Sequence, residues 1–268
     1  MHKVSWALLA LLAGSTSTLL ARDGAPPRIL AIFAHPDDET VAAPALADAA
    51  RRGAHVRIAY ATQGDLSAPE TELGPGPAIA TLRSGEARCA SRALGLANPV
   101  LFDFGDGQLG AVARPPWAPL RSLQDRLAAL IEDERPDIVI TWGPDGGYGH
   151  PDHRLVGAVT TQIVAAQGEG RALLLYPAMA SGTLPPIPEL VAMGWAETAP
   201  DLLTIHAGFA PEAMDAATTA FACHASQYDA ATRRALVPAL AASVWQGGVP
   251  FRPALDRARG EDLLALDR

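Results

Sequence analysis

The chain has 268 residues, 49% of them hydrophobic but only 6% aromatic, and a formal charge of −8. That length suits one large α/β domain or two small ones, with enough aliphatic residues for a sizeable core. No Lys/Arg run interrupts the acidic balance, which argues against nucleic acid and anionic membranes as partners.

In chain order, residues 1–21 read as a secretory signal. Lys3 supplies the positive start, Val4 to Ala13 the apolar stretch, and Ala21 a small residue before the cut. Apolar character breaks at Gly14-Ser15-Thr16-Ser17-Thr18, too early for a comfortable membrane span. The expectation is therefore an exported protein, secreted or periplasmic, with residues 22–268 as a single domain and no stable membrane insertion.

Strand-like runs at Arg28–Ala34, His55–Thr62, Val100–Phe104, Asp137–Trp142 and Leu173–Tyr176 alternate with helix-like runs. The helical candidates are Glu39–Arg52, Ala78–Leu94, Ala118–Glu134 and Pro151–Gln167. This alternation predicts a Rossmann-like α/β three-layer sandwich with a mostly parallel sheet. Right-handed crossovers then bring the carboxyl ends of the strands to one edge. A strand over Leu202–Ala207 and a helix pair, Pro211–Gln227 and Asp229–Ala242, are expected next, with a peripheral tail from Arg252. Cys89 and Cys223 both fall in helix-like segments; a disulfide suits an exported protein, and two small buried thiols suit the pattern equally well.

Two polar clusters stand at predicted strand ends: Ala34-His35-Pro36-Asp37-Asp38-Glu39 and His150-Pro151-Asp152-His153. His35 and Asp38 are three residues apart, a spacing that in a first helical turn puts Cβ atoms about 5–6 Å apart on one face. His150 and His153 repeat it. Imidazoles and a carboxylate at the carboxyl edge of a sheet point to a metal site, against the plainer reading of helix capping and loop histidines. Three protein ligands with an open fourth position suit hydrolytic Zn²⁺; Fe²⁺, Co²⁺ or Mn²⁺ are alternatives. A cation there would activate water and polarise an amide carbonyl. Asp37, beside a ligand yet free of the metal, is placed to take the water proton. His150, if protonated, is placed to hold the oxyanion or return a proton to the amine.

Other features carry less. Gly105-Asp106-Gly107-Gln108-Leu109-Gly110 matches a dinucleotide fingerprint, but Ala111 to Pro116 reads as loop where a helix is needed. Arg83 and Glu86 read either as a surface ion pair or with Arg83 turned into a cleft. Trp142 and Tyr148 could stack on a sugar, although Trp142 fits the core better. His224 reads as a core or helix-face histidine, or as one supporting the site. His55 and His206 have no clustered acid. There is no GxSxG, HExxH or P-loop, which weakens serine hydrolase, zincin and NTPase readings.

The AHPDDE run and the later GYGHPDH run resemble those of the PIG-L/LmbE-like N-acetyl-sugar deacetylases. Weaker matches follow in order: Leu82 to Ala87, Phe104 to Gly107, Arg135-Pro136-Asp137 and His224 to Gln227. The resemblance spans roughly residues 28 to 227. It implies that His35, Asp38 and His153 hold the metal, that Asp37 is the general base, and that His150 stabilises the oxyanion or donates a proton. It implies Arg83 and Asp106 near the sugar. The function so implied is removal of an N-acyl (acetyl) group from an N-acetylglucosamine-type amino sugar or glycoconjugate. Alternatives are an amidase for another sugar-linked amide, and a non-catalytic metal- or carbohydrate-binding protein on the same scaffold.

Overall fold

A computed structural model describes residues 25–168 and 170–255. The predicted signal segment lies outside the described residues. Among them, no helix is long and apolar enough to cross a membrane.

The elements in chain order begin with β1 (Arg28–Phe33), a 3-10 turn (Asp38–Ala42), α1 (Ala43–Arg51), β2 (His55–Tyr60), α2 (Pro77–Ala93) and β3 (Val100–Leu101). Next come α3 (Leu109–Val112), α4 (Ala118–Glu134), β4 (Ile138–Thr141), α5 (Gly146–Gly149), α6 (Pro151–Ala165) and β5 (Leu173–Pro177). The remainder is β6 (Met179–Ala180), α7 (Pro188–Met193), β7 (Glu197–Thr198), β8 (Ile205–Ala207), α8 (Pro211–Ala222), α9 (Ala230–Ala241) and β9 (Val249–Pro253).

Seven strands form one sheet in the order β3-β2-β1-β4-β5-β9-β8. The first five are parallel, and β9 runs antiparallel to both β5 and β8. Both faces of the sheet are covered. On β1, Ile29, Ala31 and Phe33 join a core with α1, α2, α8 and α9, whereas Leu30, Ile32 and Ala34 join a core with α4 and α6. Successive side chains of a strand point to opposite faces. A strand buried on both faces therefore reads, after Arg28, as the continuous apolar run Ile29-Leu30-Ala31-Ile32-Phe33, without polar alternation.

The strand order reverses between β1 and β4, because β2 and β3 continue to one side and β5 to the other. In open α/β sheets, ligands bind at such a switch point, outside the carboxyl ends of the strands. Both His motifs leave the sheet at that place, one after β1 and one after β4. Gly157 lets α6 come close to it: a Cβ there would lie 2.2 Å from the carbonyl oxygen of Trp142.

The α/β sandwich agrees with the sequence reading, and the differences are local. The tail is not peripheral at its start, since Arg252 and Pro253 belong to β9, which fills the gap between β5 and β8. Its two prolines, Pro250 and Pro253, mask a strand signature. The segment Asp38–Ala42 winds as a 3-10 turn ahead of α1, and a single helical turn, α3, forms at Leu109–Val112 where loop was expected. The strand after Val100 is only two residues long. Cys89 and Cys223 are joined in a disulfide across 134 residues, tying α2 to the end of α8.

Candidate active site

Asp37 has φ 105° and ψ −21°, a left-handed conformation that costs energy in any residue with a Cβ. Its surroundings hold it there. The Asp37 backbone N–H donates to Oε2 of Glu39 at 3.0 Å. The Tyr228 hydroxyl donates to Oδ2 of Asp37 at 3.1 Å, and the Arg83 guanidinium lies 3.3 Å from the same oxygen. Arg83 is itself buried and donates to the carbonyls of Gly64 (3.1 Å) and Pro36 (2.6 Å). Gly64 has φ +67°, and a Cβ on it would meet Nη1 of Arg83 at 2.4 Å, so only glycine fits beneath the guanidinium. Burial pushes the Asp37 carboxyl upward, and the Asp38 and Glu39 charges add to this; the Arg83 charge opposes it without cancelling it.

Asp38 faces the other way. Its Oδ2 accepts three N–H groups at 3.0 Å, from the backbones of Ala34 and His35 and from Nε1 of Trp142. Oδ1 remains and lies 3.1 Å from Nε2 of His153. Burial opposes ionisation of Asp38, but the His153 charge and these bonds outweigh it, so the carboxyl stays below its usual range.

The two imidazoles are oriented from behind. Nδ1 of His153 lies 3.1 Å from the Gly146 carbonyl, which can only accept, so this nitrogen carries a proton and Nε2 is the one turned to Asp38. The ring also stacks on Trp142, with centroids 4.4 Å apart and planes 3° from parallel. Nε2 of His35 lies 3.0 Å from Oδ1 of Asp106 and 3.3 Å from Oδ2 of Asp152, so it donates there and leaves Nδ1 facing inward. That Nδ1 is 3.2 Å from Nε2 of His153. Burial alone would lower the His35 pKa; the bonds to Asp106 and Asp152 overcome it and raise it to about 10, so a cation bound at Nδ1 would displace a proton from it.

Nδ1 of His35, Nε2 of His153 and Oδ1 of Asp38 are the atoms left to face a cation. A tetrahedral ion with bonds of ~2.0–2.1 Å wants its ligand atoms roughly 3.3 Å apart, close to the 3.1 and 3.2 Å of two of the pairs; between His35 and Asp38, Nδ1 lies 3.9 Å from the other carboxylate oxygen, Oδ2. Ligand atoms of two further groupings, His35 with His150 and His153, and His35 with Asp106 and Asp152, also lie within 4.8 Å of one another. In the first, His150 Nδ1 accepts from the Asp152 backbone N–H at 3.2 Å and Nε2 stays open; in the second, Asp152 Oδ2 accepts from the Gly107 N–H at 2.8 Å, while its buried Oδ1 has no hydrogen-bond partner. The donor chemistry of His35, Asp38 and His153, two imidazoles and one carboxylate, suits a divalent cation.

His150 lines the same cavity, half-buried, with its ring centroid 4.8 Å from that of His35. Burial, then the positive charges of His153 and His35, push its pKa down. The protonated His150 entertained from sequence is thus disfavoured. The neutral ring, with Nδ1 engaged by Asp152, offers Nε2–H as a donor instead.

The structure therefore gathers all seven residues singled out by sequence around one cavity of about 390 Å³. Arg83 and Asp106 line it, but much of their capacity is used internally, on Asp37, His35 and two backbone carbonyls. Glu86 does not pair with Arg83; its carboxylate takes the Ser226 backbone N–H and hydroxyl, each at 2.7 Å. Residues that sequence reasoning gave no part in the site include Asp152, Glu39 and Tyr228, and Trp142, weighed there as a sugar platform or a core residue, instead gives its indole N–H to Asp38. Asp152 and Glu39 stand inside the two motifs, so the motif runs themselves carried that signal. Tyr228 and Trp142 carried none that local pattern could supply.

A mostly parallel sheet covered on both faces, with imidazoles and carboxylates gathered at its switch point, defines a class of α/β fold with a polar site at the carboxyl ends of its strands. The chain belongs to the PIG-L family: the family model described as GlcNAc-PI de-N-acetylase matches residues 30–164. A 1D-myo-inositol 2-acetamido-2-deoxy-alpha-D-glucopyranoside deacetylase of Mycolicibacterium vanbaalenii is 32% identical over 211 residues, covering 71% of this chain and 73% of that protein. One of the same description from Kineococcus radiotolerans is 35% identical over 175 residues, 56% of this chain. The match takes in 48% of that relative, so the chain spans about half the length of several such proteins. In structure, the chain is similar to the N,N'-diacetylchitobiose deacetylase of Pyrococcus horikoshii. The TM-score is 0.60 at 20% identity, over 87% of this chain and 85% of that one, a likeness of fold.

Proposed function

We propose that this chain is a metal-dependent hydrolase that removes an N-acyl group from an N-acylated amino sugar or glycoconjugate. The observation that carries the reading is His153 Nε2 set between His35 Nδ1 and Asp38 Oδ1, at 3.2 and 3.1 Å, beside Asp37, whose backbone is held in a left-handed conformation. Two imidazoles and one carboxylate favour Zn²⁺. A bound divalent cation would supply an acidified water and a polarised amide carbonyl.

The chain's own groups do the rest. Asp37 accepts a proton from the attacking water and passes it to the nitrogen of the departing amine as the C–N bond breaks; a carboxyl raised by burial suits both transfers. Arg83 and Tyr228 fix the carboxylate so that one oxygen faces the cavity. His150 presents Nε2–H to the carbonyl oxygen as negative charge grows there. His35 and His153 are held in one tautomer each by the acceptors behind them, an arrangement that raises ligand basicity. Arg83 and Asp106, at the cavity wall, are proposed to meet sugar hydroxyls with the atoms left to them.

Residues 22–268 are proposed to act as one catalytic domain, after export directed by residues 1–21. The Cys89–Cys223 disulfide supports export, since such bonds persist in oxidising compartments. The test is metal analysis of the purified protein, with acid and amine release measured on N-acylated glucosamines, before and after chelation. Release that disappears with chelator and returns with zinc is expected. Release indifferent to chelation would overturn the metal role.

A further inference from the structure

The family model ends at residue 164, yet much of the cavity wall is built from chain beyond it. That later wall is apolar. Met193 and Trp195 come from the excursion after β5, Leu236 and Leu240 from α9, and Trp245 from the turn before β9; Val41 joins them from the 3-10 turn. Arg83 and Asp106 sit on segments that follow β2 and β3, whereas the apolar wall follows β5 and β8. In the sheet order β2 and β3 lie to one side of the β1–β4 switch point and β5, β9 and β8 to the other. The amide centre stands between a polar flank and an apolar flank.

An amide has two substituents, and only one is a sugar. Resting on the N-deacylase reading, we propose that the apolar flank is an acyl subsite, and that the substrate is an amino sugar carrying a medium-chain fatty acyl group rather than acetyl. A methyl group leaves most of this wall uncovered. The cavity, about 390 Å³, is of a size that encloses a whole drug-sized ligand (about 300–1,000 Å³). The wall also reaches the surface, since Met193, at the end of α7, is 41% exposed. A chain longer than the flank projects past this residue into solvent, so the gain per methylene ends there.

The experiment uses the zinc-loaded full chain and glucosamines N-acylated with acetyl, butanoyl, hexanoyl, octanoyl or decanoyl groups. Each methylene buried adds about fourfold to kcat/KM. A rise of that kind up to a plateau is expected, and Leu240→Trp, which narrows the flank, shifts the optimum to shorter chains. Acetyl as the best substrate, or a flat series, overturns the subsite while leaving the N-deacylase reading intact. Octyl N-acetylglucosaminide carries its apolar chain on the sugar side; a gain with it and none with N-octanoylglucosamine also overturns the proposal. Failure of every compound to release amine sinks the N-deacylase reading instead. The subsite is then judged by tryptophan fluorescence, since Trp195 and Trp245 line it. Saturable binding of N-octanoylglucosamine, at least tenfold tighter than N-acetylglucosamine, supports the subsite, and equal binding removes it.

Discussion

Nε2 of His224 lies 2.6 Å from Oε1 of Glu39, with both side chains sealed from solvent and 185 residues of chain between them. The second oxygen of Glu39 takes the Tyr60 hydroxyl at 2.8 Å and the Asp37 backbone N–H at 3.0 Å. Burial would raise the Glu39 carboxyl and lower the His224 imidazole. Their mutual attraction wins in both, so Glu39 is lowered, His224 is raised, and both are charged. One buried ion pair thus anchors the unfavourable backbone of Asp37.

His224→Ala leaves the Glu39 carboxylate buried without its counter-charge. Breaking one side of a buried pair costs about 3–5 kcal/mol. Urea unfolding of wild type, His224→Ala, Glu39→Gln and the double variant is expected to give a double variant less damaged than the two single changes added together. Strict additivity would show that the pair is not a unit.

Asp37→Ala is expected to lower kcat by about 10²–10⁴-fold, as for loss of a general base. Metal content should not change, because Asp37 contributes no atom to the proposed ligand set and its Oδ2 is held by Tyr228 and Arg83. Turnover at the wild-type rate would take that role from Asp37.

Trp142→Phe keeps an aromatic ring against His153 but deletes the N–H that binds Oδ2 of Asp38. Loss of such a supporting bond typically costs 10–100-fold in metal affinity. Competition with a zinc chelator measures it; an unchanged affinity would show that the Ala34 and His35 amides suffice to aim Asp38.

Glu134 offers a pH test far from the site. Burial raises its carboxyl, but the Arg57 hydrogen bond and the Arg57 and Arg28 charges outweigh this and lower it below the ordinary 4.5. A depressed carboxylate contributes stability that is complete above the unfolded value and is lost as pH falls through the folded one. Glu134→Gln should therefore reduce stability at neutral pH and flatten its decline below about pH 4.5. The effect is modest, because the arginines are partly exposed. Identical acid limbs in the two proteins would count against the ion pairs.

Reduction of Cys89–Cys223 frees a long loop in the unfolded chain. By chain-entropy reasoning, a bridge across 134 residues is worth at most about 5 kcal/mol. The expected result is a clear drop in thermal midpoint on reduction, or in Cys89→Ser/Cys223→Ser. A midpoint that does not move would show that the bridge adds little.

Much of the architecture was legible beforehand because its signals are local. β1 announces itself by six consecutive residues dominated by aliphatics, and α4 begins and ends at the very residues its pattern implies. The first and last residues of other elements moved where local backbone geometry intervened, as at the left-handed Asp37 that delays α1 by a 3-10 turn. β9 escaped notice because Pro250 and Pro253 are poor strand formers, tolerated here by the company of β5 and β8.

By itself, the sequence determined the parallel α/β layering, the two His-bearing strand ends and the residue types available for a cation, since these depend on periodicities of two to four residues. Only the tertiary structure decided that Asp106 and Asp152 hold His35 from behind, that His224 anchors Glu39, that Cys89 meets Cys223, and that an apolar wall from α7 and α9 lines the same cavity as the two His motifs. Those pairings join segments up to 185 residues apart. They depend on which strand lies beside which and how the covering helices settle on the sheet, and no short stretch of chain encodes that.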